Sequence, residues 1–135
     1  MRAWPVSRES SSTVSDPRPS PRRCGEVLEA LVGVIASRKA DPSARSYTTR
    51  LLASGPEGAG AKVTEEADEL ARAARAETDD RVVSEAADLV YHMLVLLACR
   101  DVPFGLVEAE LARRFGVSGL DEKAARTAGS QEPSP

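Results

Sequence analysis

The chain has 135 residues, enough for one ordinary domain, and its acidic residues outnumber its basic residues by 21 to 18. The net charge of −3 gives no general reason to expect nucleic-acid binding. With 2 cysteines, 1 histidine and no secretory signal, the sequence excludes a disulfide framework and a zinc ligand set, and we expect a cytoplasmic protein.

The two ends of the chain differ in composition from the middle. Residues 1–23 are rich in serine and proline and carry too little apolar surface to offset chain entropy, so we predict a disordered leader. Residues 117–135 are predicted to be a flexible tail. The folded domain is therefore predicted to span residues 24–116.

Helical signals follow one another from the start of this domain. Apolar residues at helical spacing predict a first helix over residues 25–38, and the Asp41-Pro42 pair ends it. A polar turn leads into a brief helix. The run from Ser54 to Glu57 then predicts a capping box, with proline in the first turn, at the start of a long helix over residues 56–77.

The next helix is predicted to continue to Cys99, and it is apolar on nearly every side beyond its first two turns. Pro103 opens a last helix through Phe115. These elements predict an all-α fold, a bundle of about four to five helices with short connections. The apolar surface of the helix ending at Cys99 is too large for one short chain to cover, so we predict a homodimer. The longest apolar run, from Leu89 to Cys99, is too short to span a bilayer, so we expect no membrane partner.

One acidic cluster lies on the long helix over residues 56–77. Glu65 and Glu69 stack one turn apart and Glu66 lies about 100° round the helix, so the three carboxylates share one broad face. Lys62 points into the same sector. Most acidic runs on helices are solvated faces, and this cluster taken alone favours that interpretation.

A second acidic cluster favours a functional site over a solvated face, because it interrupts an apolar helix. Glu85 and Asp88 are three residues apart, and His92 lies one turn beyond Asp88 on the same side. His92 alone is more often a hydrogen-bonded core histidine than a ligand, and we take it as a candidate outer-sphere group. A divalent cation would neutralise both clusters, and Mg²⁺, with Mn²⁺ as the alternative, prefers oxygen ligands and binds phosphates.

The two clusters together form a recognisable signature. The pattern Glu65-Glu66-x-x-Glu69 followed by Glu85-x-x-Asp88 resembles the metal-binding signature of the all-α nucleoside triphosphate pyrophosphohydrolases, the MazG-like superfamily. Within that superfamily the chain is similar to the phosphoribosyl-ATP pyrophosphohydrolase family of histidine biosynthesis. The closer match is carried by residues 46–52, 62–67 and 85–97, and the resemblance covers about residues 25–115.

The resemblance implies a reaction and a metal site. The reaction is Mg²⁺-dependent hydrolysis of phosphoribosyl-ATP, a small nucleotide, to phosphoribosyl-AMP and pyrophosphate by a homodimer. The metal-site carboxylates would be Glu65, Glu66, Glu69, Glu85 and Asp88. One among Glu65, Glu66 and Glu69 would orient or deprotonate the attacking water.

The resemblance also implies substrate contacts. Lys62 would be a phosphate ligand, and its place on the carboxylate face supports this independently. Ser46, Tyr47, Thr48 and Arg50 would lie near the phosphates or the ribose. The alternative for these four residues is a capping turn without contact to substrate.

Two other functions fit part of the pattern. A MazG-like house-cleaning pyrophosphatase for non-standard dNTPs would share the carboxylates and the fold. Only the stretch from Ser46 to Thr48 and the Tyr91-His92 pair favour the histidine pathway over it. A non-catalytic helical module that binds a basic partner through its acidic face would need no metal.

Overall fold

The computed structural model describes residues 24–115 and 119–129, and helices are the only regular structure in these ranges. The helices are α1 (Cys24–Ala40), α2 (Tyr47–Ala53), α3 (Gly55–Ala76), α4 (Asp79–Cys99), α5 (Phe104–Arg114) and α6 (Gly119–Gly129). The all-α prediction is confirmed, with six helices described where about four to five were expected. The predicted leader, residues 1–23, lies outside the described residues.

The chain divides into two compact units, with the boundary between Val102 and Pro103. The first contains α1 to α4, in which α3 and α4 have the most extensive contact, and α1 and α2 pack against each other and against α4. Its buried apolar side chains are Ile35, Leu51, Ala59, Ala73, Tyr91, Leu94 and Val95. This core holds the two helices that carry the acidic clusters.

The second unit contains α5 and α6. On α5, Arg113 and Arg114 both hydrogen-bond to Glu110, and these contacts lower the pKa of that carboxyl to about 2. α6 lies in the range for which we expected a flexible tail. Its sequence contains alanine, glutamate, lysine and arginine, which are good helix formers.

The predicted capping box at Ser54 is wrong. Ser54 has helical dihedral angles (φ −71°, ψ −10°), and its hydroxyl donates to the carbonyl of Leu51 at 2.6 Å instead of capping α3. The reason is that the same serine also ends α2. Gly55 follows in the left-handed region at φ +69°, which glycine adopts without strain. At Gly58 a Cβ atom would lie 2.3 Å from Ser54 Oγ, so this glycine allows α2 and α3 to meet without a loop.

The C-terminal end of α4 is tied to α1 by a lysine. Lys39 Nζ lies 2.5 Å from the carbonyl oxygen of Ala98 and 2.5 Å from Asp101 Oδ1. The Ala98 carbonyl also accepts from the N–H of Asp101 at 3.1 Å, and a cation beside it is favoured by the negative end of the helix dipole. This contact therefore fixes the far end of the helix that carries Glu85 and Asp88.

Taken as a whole, α4 is long and apolar enough to cross a membrane, although its apolar run from Leu89 to Cys99 alone is too short. Core helices of soluble proteins meet the same criteria, and α4 also carries Glu85 and Asp88 within its apolar stretch. We therefore interpret α4 as a packing helix. Only 28 % of the residues in that stretch are fully buried within the chain. Val83 is exposed and several other apolar residues are half-buried, so part of the apolar surface of α4 remains accessible.

Candidate metal and substrate site

Three carboxylates from α3 and α4 come together. One oxygen from each of Glu66, Glu85 and Asp88 lies within 4.8 Å of the other two. Glu66 and Glu85 are buried, with exposed fractions of 0 % and 3 %, and Asp88 is half-buried. The arrangement follows from the chain, because only two residues separate the end of α3 from the start of α4, and α4 packs against α3.

Lys62 lies on the same face of α3 as its carboxylates, as the spacing predicts. Its Nζ atom is 2.6 Å from Glu65 Oε2 and 3.4 Å from Glu66 Oε1. The Glu65 side chain is 44 % exposed and is not one of the three carboxylates that meet. The structure therefore places Glu65 at the rim of the site and Glu66 inside it.

Among the carboxylates of the site, Glu85 has a raised pKa. Burial is the main cause that raises its pKa, the neighbouring Glu69 carboxyl raises it further, and Arg81 opposes both. Asp88 contributes a smaller effect in the same direction as Glu69. Glu69 is half-buried. Its side chain contacts Glu85, so Glu69 lies next to the three-carboxylate group.

Arg81 is a site residue that the sequence analysis missed. Its Nη2 atom pairs with Glu85 Oε1, and its Nε donates to Glu77 Oε2 at 3.0 Å. The signal was present in the spacing, because Arg81 lies four residues before Glu85 on the same helix and such pairs face each other. The acidic surroundings also raise the pKa of Arg81, with the hydrogen bond to Glu77 as the largest cause.

The donor set fits a hard divalent cation. All three converging groups are carboxylates, which Mg²⁺ prefers over nitrogen and sulfur ligands. Oε2 of Glu85 is buried and has no hydrogen-bond partner among the described residues. A buried carboxylate oxygen without a partner is costly, and a cation bound by the three carboxylates would satisfy it.

His92 lies beside the carboxylates and is almost fully buried. Its Nδ1 atom is 2.7 Å from the backbone oxygen of Asp88, and its Nε2 atom is 3.2 Å from the hydroxyl of Tyr47. A carbonyl oxygen can only accept, so Nδ1 donates, and in the neutral ring Nε2 accepts from Tyr47. Nδ1 is also 3.8 Å from Glu66 Oε1. The imidazole thus links α2 to the backbone that carries Asp88.

The segment from Ser46 to Arg50 has both buried and exposed members. Ser46 is buried and its hydroxyl accepts from a backbone N–H in the first turn of α2, which is the capping arrangement of the alternative interpretation. Thr48 is fully buried and hydrogen-bonds to the hydroxyl of Tyr91. Tyr47 and Arg50 are exposed. Ser46 and Thr48 therefore make contacts within the fold, Arg50 is exposed to solvent, and Tyr47 is partly exposed with its hydroxyl directed at His92.

Three rings hold α2 against α4. The ring centroids of Tyr47 and Tyr91 are 6.4 Å apart in a stacked pair, and those of Tyr47 and His92 are 6.1 Å apart, edge to face. Such pairs add to the stability that burial alone supplies. They fix the position of the Tyr47 hydroxyl relative to the carboxylates.

Comparison with known proteins identifies the family of the chain. The sequence matches the family model described as phosphoribosyl-ATP pyrophosphohydrolase over residues 28–115. The chain belongs to this family. The resemblance stated from the sequence is thereby confirmed, and the matched range contains all of the site residues that a phosphoribosyl-ATP pyrophosphohydrolase resemblance implied.

Individual phosphoribosyl-ATP pyrophosphatases are similar to the chain over most of their length. The protein from Pelobacter propionicus is 48 % identical over 101 residues, which cover 75 % of this chain and 94 % of the relative. The Rhodospirillum rubrum protein is 48 % identical over 110 residues, covering 82 % and 94 %. The Trichlorobacter lovleyi protein is 50 % identical over 100 residues, covering 74 % and 93 %.

Proposed function

We propose that the chain hydrolyses phosphoribosyl-ATP to phosphoribosyl-AMP and pyrophosphate, the second step of histidine biosynthesis, at the carboxylate site between α3 and α4. Family membership supports the reaction, and the chain is accordingly a hydrolase of phosphoribosyl-ATP. The location of the active site is supported by the convergence of Glu66, Glu85 and Asp88, of which the first two are buried. A binding face would not require acidic groups inside a core, where uncompensated charge is expensive.

In this proposal Glu66, Glu85 and Asp88 hold Mg²⁺, with Mn²⁺ as the alternative. The bound cation would neutralise phosphate oxygens and lower the pKa of a bound water. Glu69 is proposed to join the ligand set through its place beside Glu85. Glu65, at the rim, is proposed to complete it, and one of the three α3 glutamates is proposed to orient or deprotonate the attacking water.

The substrate is proposed to lie over the same face. Lys62 is a partly exposed cation that already contacts two carboxylates, so it can reach a phosphate held beside them. Arg50 and the Tyr47 hydroxyl would contact the phosphates or the ribose from α2. Ser46 and Thr48 would act by keeping that segment in place, through the cap of α2 and the bond to Tyr91.

We also propose that the enzyme is a cytoplasmic homodimer. Part of the apolar surface of α4 remains accessible within one chain. In the second unit, Leu106, Leu111 and Phe115 are exposed by 62 %, 52 % and 80 %. A second copy would bury such surfaces, and light scattering should give twice the mass of the chain. A stable monomer at working concentrations would count against this part of the proposal.

Pyrophosphate release from phosphoribosyl-ATP, with and without Mg²⁺ and beside a panel of dNTPs, tests the reaction. We expect Mg²⁺-dependent turnover of phosphoribosyl-ATP alone. Glu66→Gln should lower turnover by roughly 100-fold or more, because a bound metal supplies several kcal/mol of transition-state stabilisation. Asp68→Asn, which removes an exposed charge from the same helix, is the control and should be active. Turnover of dNTPs alone would favour house-cleaning chemistry, and no turnover would favour a binding module.

A further inference from the structure

Each of the two fully buried glutamates of the site has a cation one helical turn before it. Lys62 precedes Glu66 by four residues on α3, and Arg81 precedes Glu85 by four residues on α4. The two cations therefore reach the buried carboxylates from different helices. Lys62 also contacts Glu65, and Arg81 also contacts Glu77, so the two cations balance only part of the negative charge of the carboxylates around the site.

Arg81 is held at its carboxylate by a second acidic group. Its Nε donates to Glu77 Oε2 at 3.0 Å, while Nη2 pairs with Oε1 of Glu85. The Arg81 side chain is 50 % exposed, so the guanidinium lies at the boundary between the buried site and solvent. The other oxygen of Glu85, Oε2, remains buried and accepts no hydrogen bond among the described residues.

We propose that Arg81 is a built-in counter-cation that stabilises the metal-free site and competes with the divalent cation for Glu85. The inference rests on the metal site proposed above. A guanidinium in contact with a ligand carboxylate repels an incoming cation and already neutralises part of the charge that would attract it. In the metal-free protein the same guanidinium offsets the repulsion among the buried carboxylates.

The Arg81 charge is thus expected to stabilise the metal-free protein and to weaken Mg²⁺ binding. An arginine with only a structural role would do the first and not the second. A ligand that binds only the folded state stabilises it according to its affinity. Removing the Arg81 charge should therefore lower the melting temperature without metal, while increasing the rise in melting temperature that Mg²⁺ produces. An arginine that only supported the fold would lower both melting temperatures equally.

The experiment measures Mg²⁺ binding to the full-length protein by calorimetry and melting temperature, with no substrate present. Arg81→Gln should tighten the Mg²⁺ dissociation constant by roughly two- to fivefold, as expected for a half-exposed ion pair. Arg81→Lys keeps the charge and should stay close to wild type. Arg75→Gln removes an exposed charge from α3 and is the matched control, for which we expect no change.

The outcomes distinguish this inference from the proposed function. If the wild-type protein does not bind Mg²⁺, the proposed metal site is wrong and the inference falls with it. If wild type binds but Arg81→Gln has an unchanged or weaker affinity, only the inference is overturned. If Arg81→Gln is unfolded without metal and folds on adding Mg²⁺, the proposal is supported, because the metal then replaces the missing charge.

Discussion

Asp88→Asn should make the metal-free protein more stable and the enzyme much less active. Asp88 is half-buried on α4, and its oxygen lies within 4.8 Å of an oxygen on each of two other carboxylates. The amide has nearly the shape of the carboxylate but carries no charge. The substitution therefore removes like-charge repulsion from the metal-free site and removes a ligand from the metal-bound site.

The distances set the size of the gain in stability. Two unit charges 4.8 Å apart repel each other by about 3.5 kcal/mol at an effective dielectric constant of about 20, and by about 0.9 kcal/mol in bulk water. Lys62 and Arg81 offset part of this repulsion, and Asp88 is partly solvated. We therefore expect the free energy of unfolding to rise by about 1 kcal/mol, or the melting temperature by about 4 °C.

Two measurements check this prediction. Thermal unfolding followed by circular dichroism in EDTA gives the stability, and pyrophosphate release with saturating Mg²⁺ gives the activity. Asp68→Asn is the control, because Asp68 is an exposed carboxylate on α3, and it should change stability by less than about 0.5 kcal/mol. A metal-free Asp88→Asn protein that is less stable than wild type, or one that keeps full activity, would refute the reasoning.

Three further predictions concern the joint between α2 and α3, the pH dependence and the buried threonine. Gly58→Ala should destabilise the protein by about 1–3 kcal/mol, because the new Cβ would clash with Ser54. Gly60→Ala has open space around it and should stabilise the helix by up to about 1 kcal/mol. Chemical denaturation compares the free energies of unfolding of the two variants. Because burial raises the pKa of Glu85, the folded metal-free protein binds this proton more tightly than the unfolded chain. The stability of the metal-free protein should therefore rise as the pH falls through the raised pKa towards the ordinary value of 4.5. Glu85→Gln should abolish this rise, and saturating Mg²⁺ should reverse its direction. Melting curves between pH 5 and 8 test the sign. Thr48→Val removes the buried hydrogen bond to Tyr91 and should cost about 1–3 kcal/mol in the same denaturation assay, and a neutral result would show that the bond contributes nothing.

The sequence predicted the helices wherever a local signal marked their ends. Ser46 caps α2, and Pro103 precedes α5. Prediction failed at Ser54, where two helices share one residue and the end of α2 determines where the hydroxyl points. No pattern within a single helix shows that conflict, because it depends on how α3 follows α2.

The site was predictable to the level of helix faces. Spacing along α3 placed Lys62 and Glu66 on one face, and spacing along α4 paired Glu85 with Asp88. Spacing alone did not separate Glu66 from its neighbour Glu65, because the rotation of α3 about its axis is set by packing against α4. Burial shows the difference only in the folded chain, where one glutamate is enclosed and the other remains largely exposed.

The short connection between α3 and α4 also bears on how the protein folds. The carboxylates that meet lie on consecutive helices, and only Glu77 and Thr78 separate the end of one helix from the start of the next. Closing so short a connection costs little chain entropy, and contacts between neighbouring segments form faster than contacts between distant ones. The hairpin of α3 and α4 is therefore expected to be among the first parts of the chain to form during synthesis. A nascent chain that has extended as far as Cys99 already contains every carboxylate that the site requires.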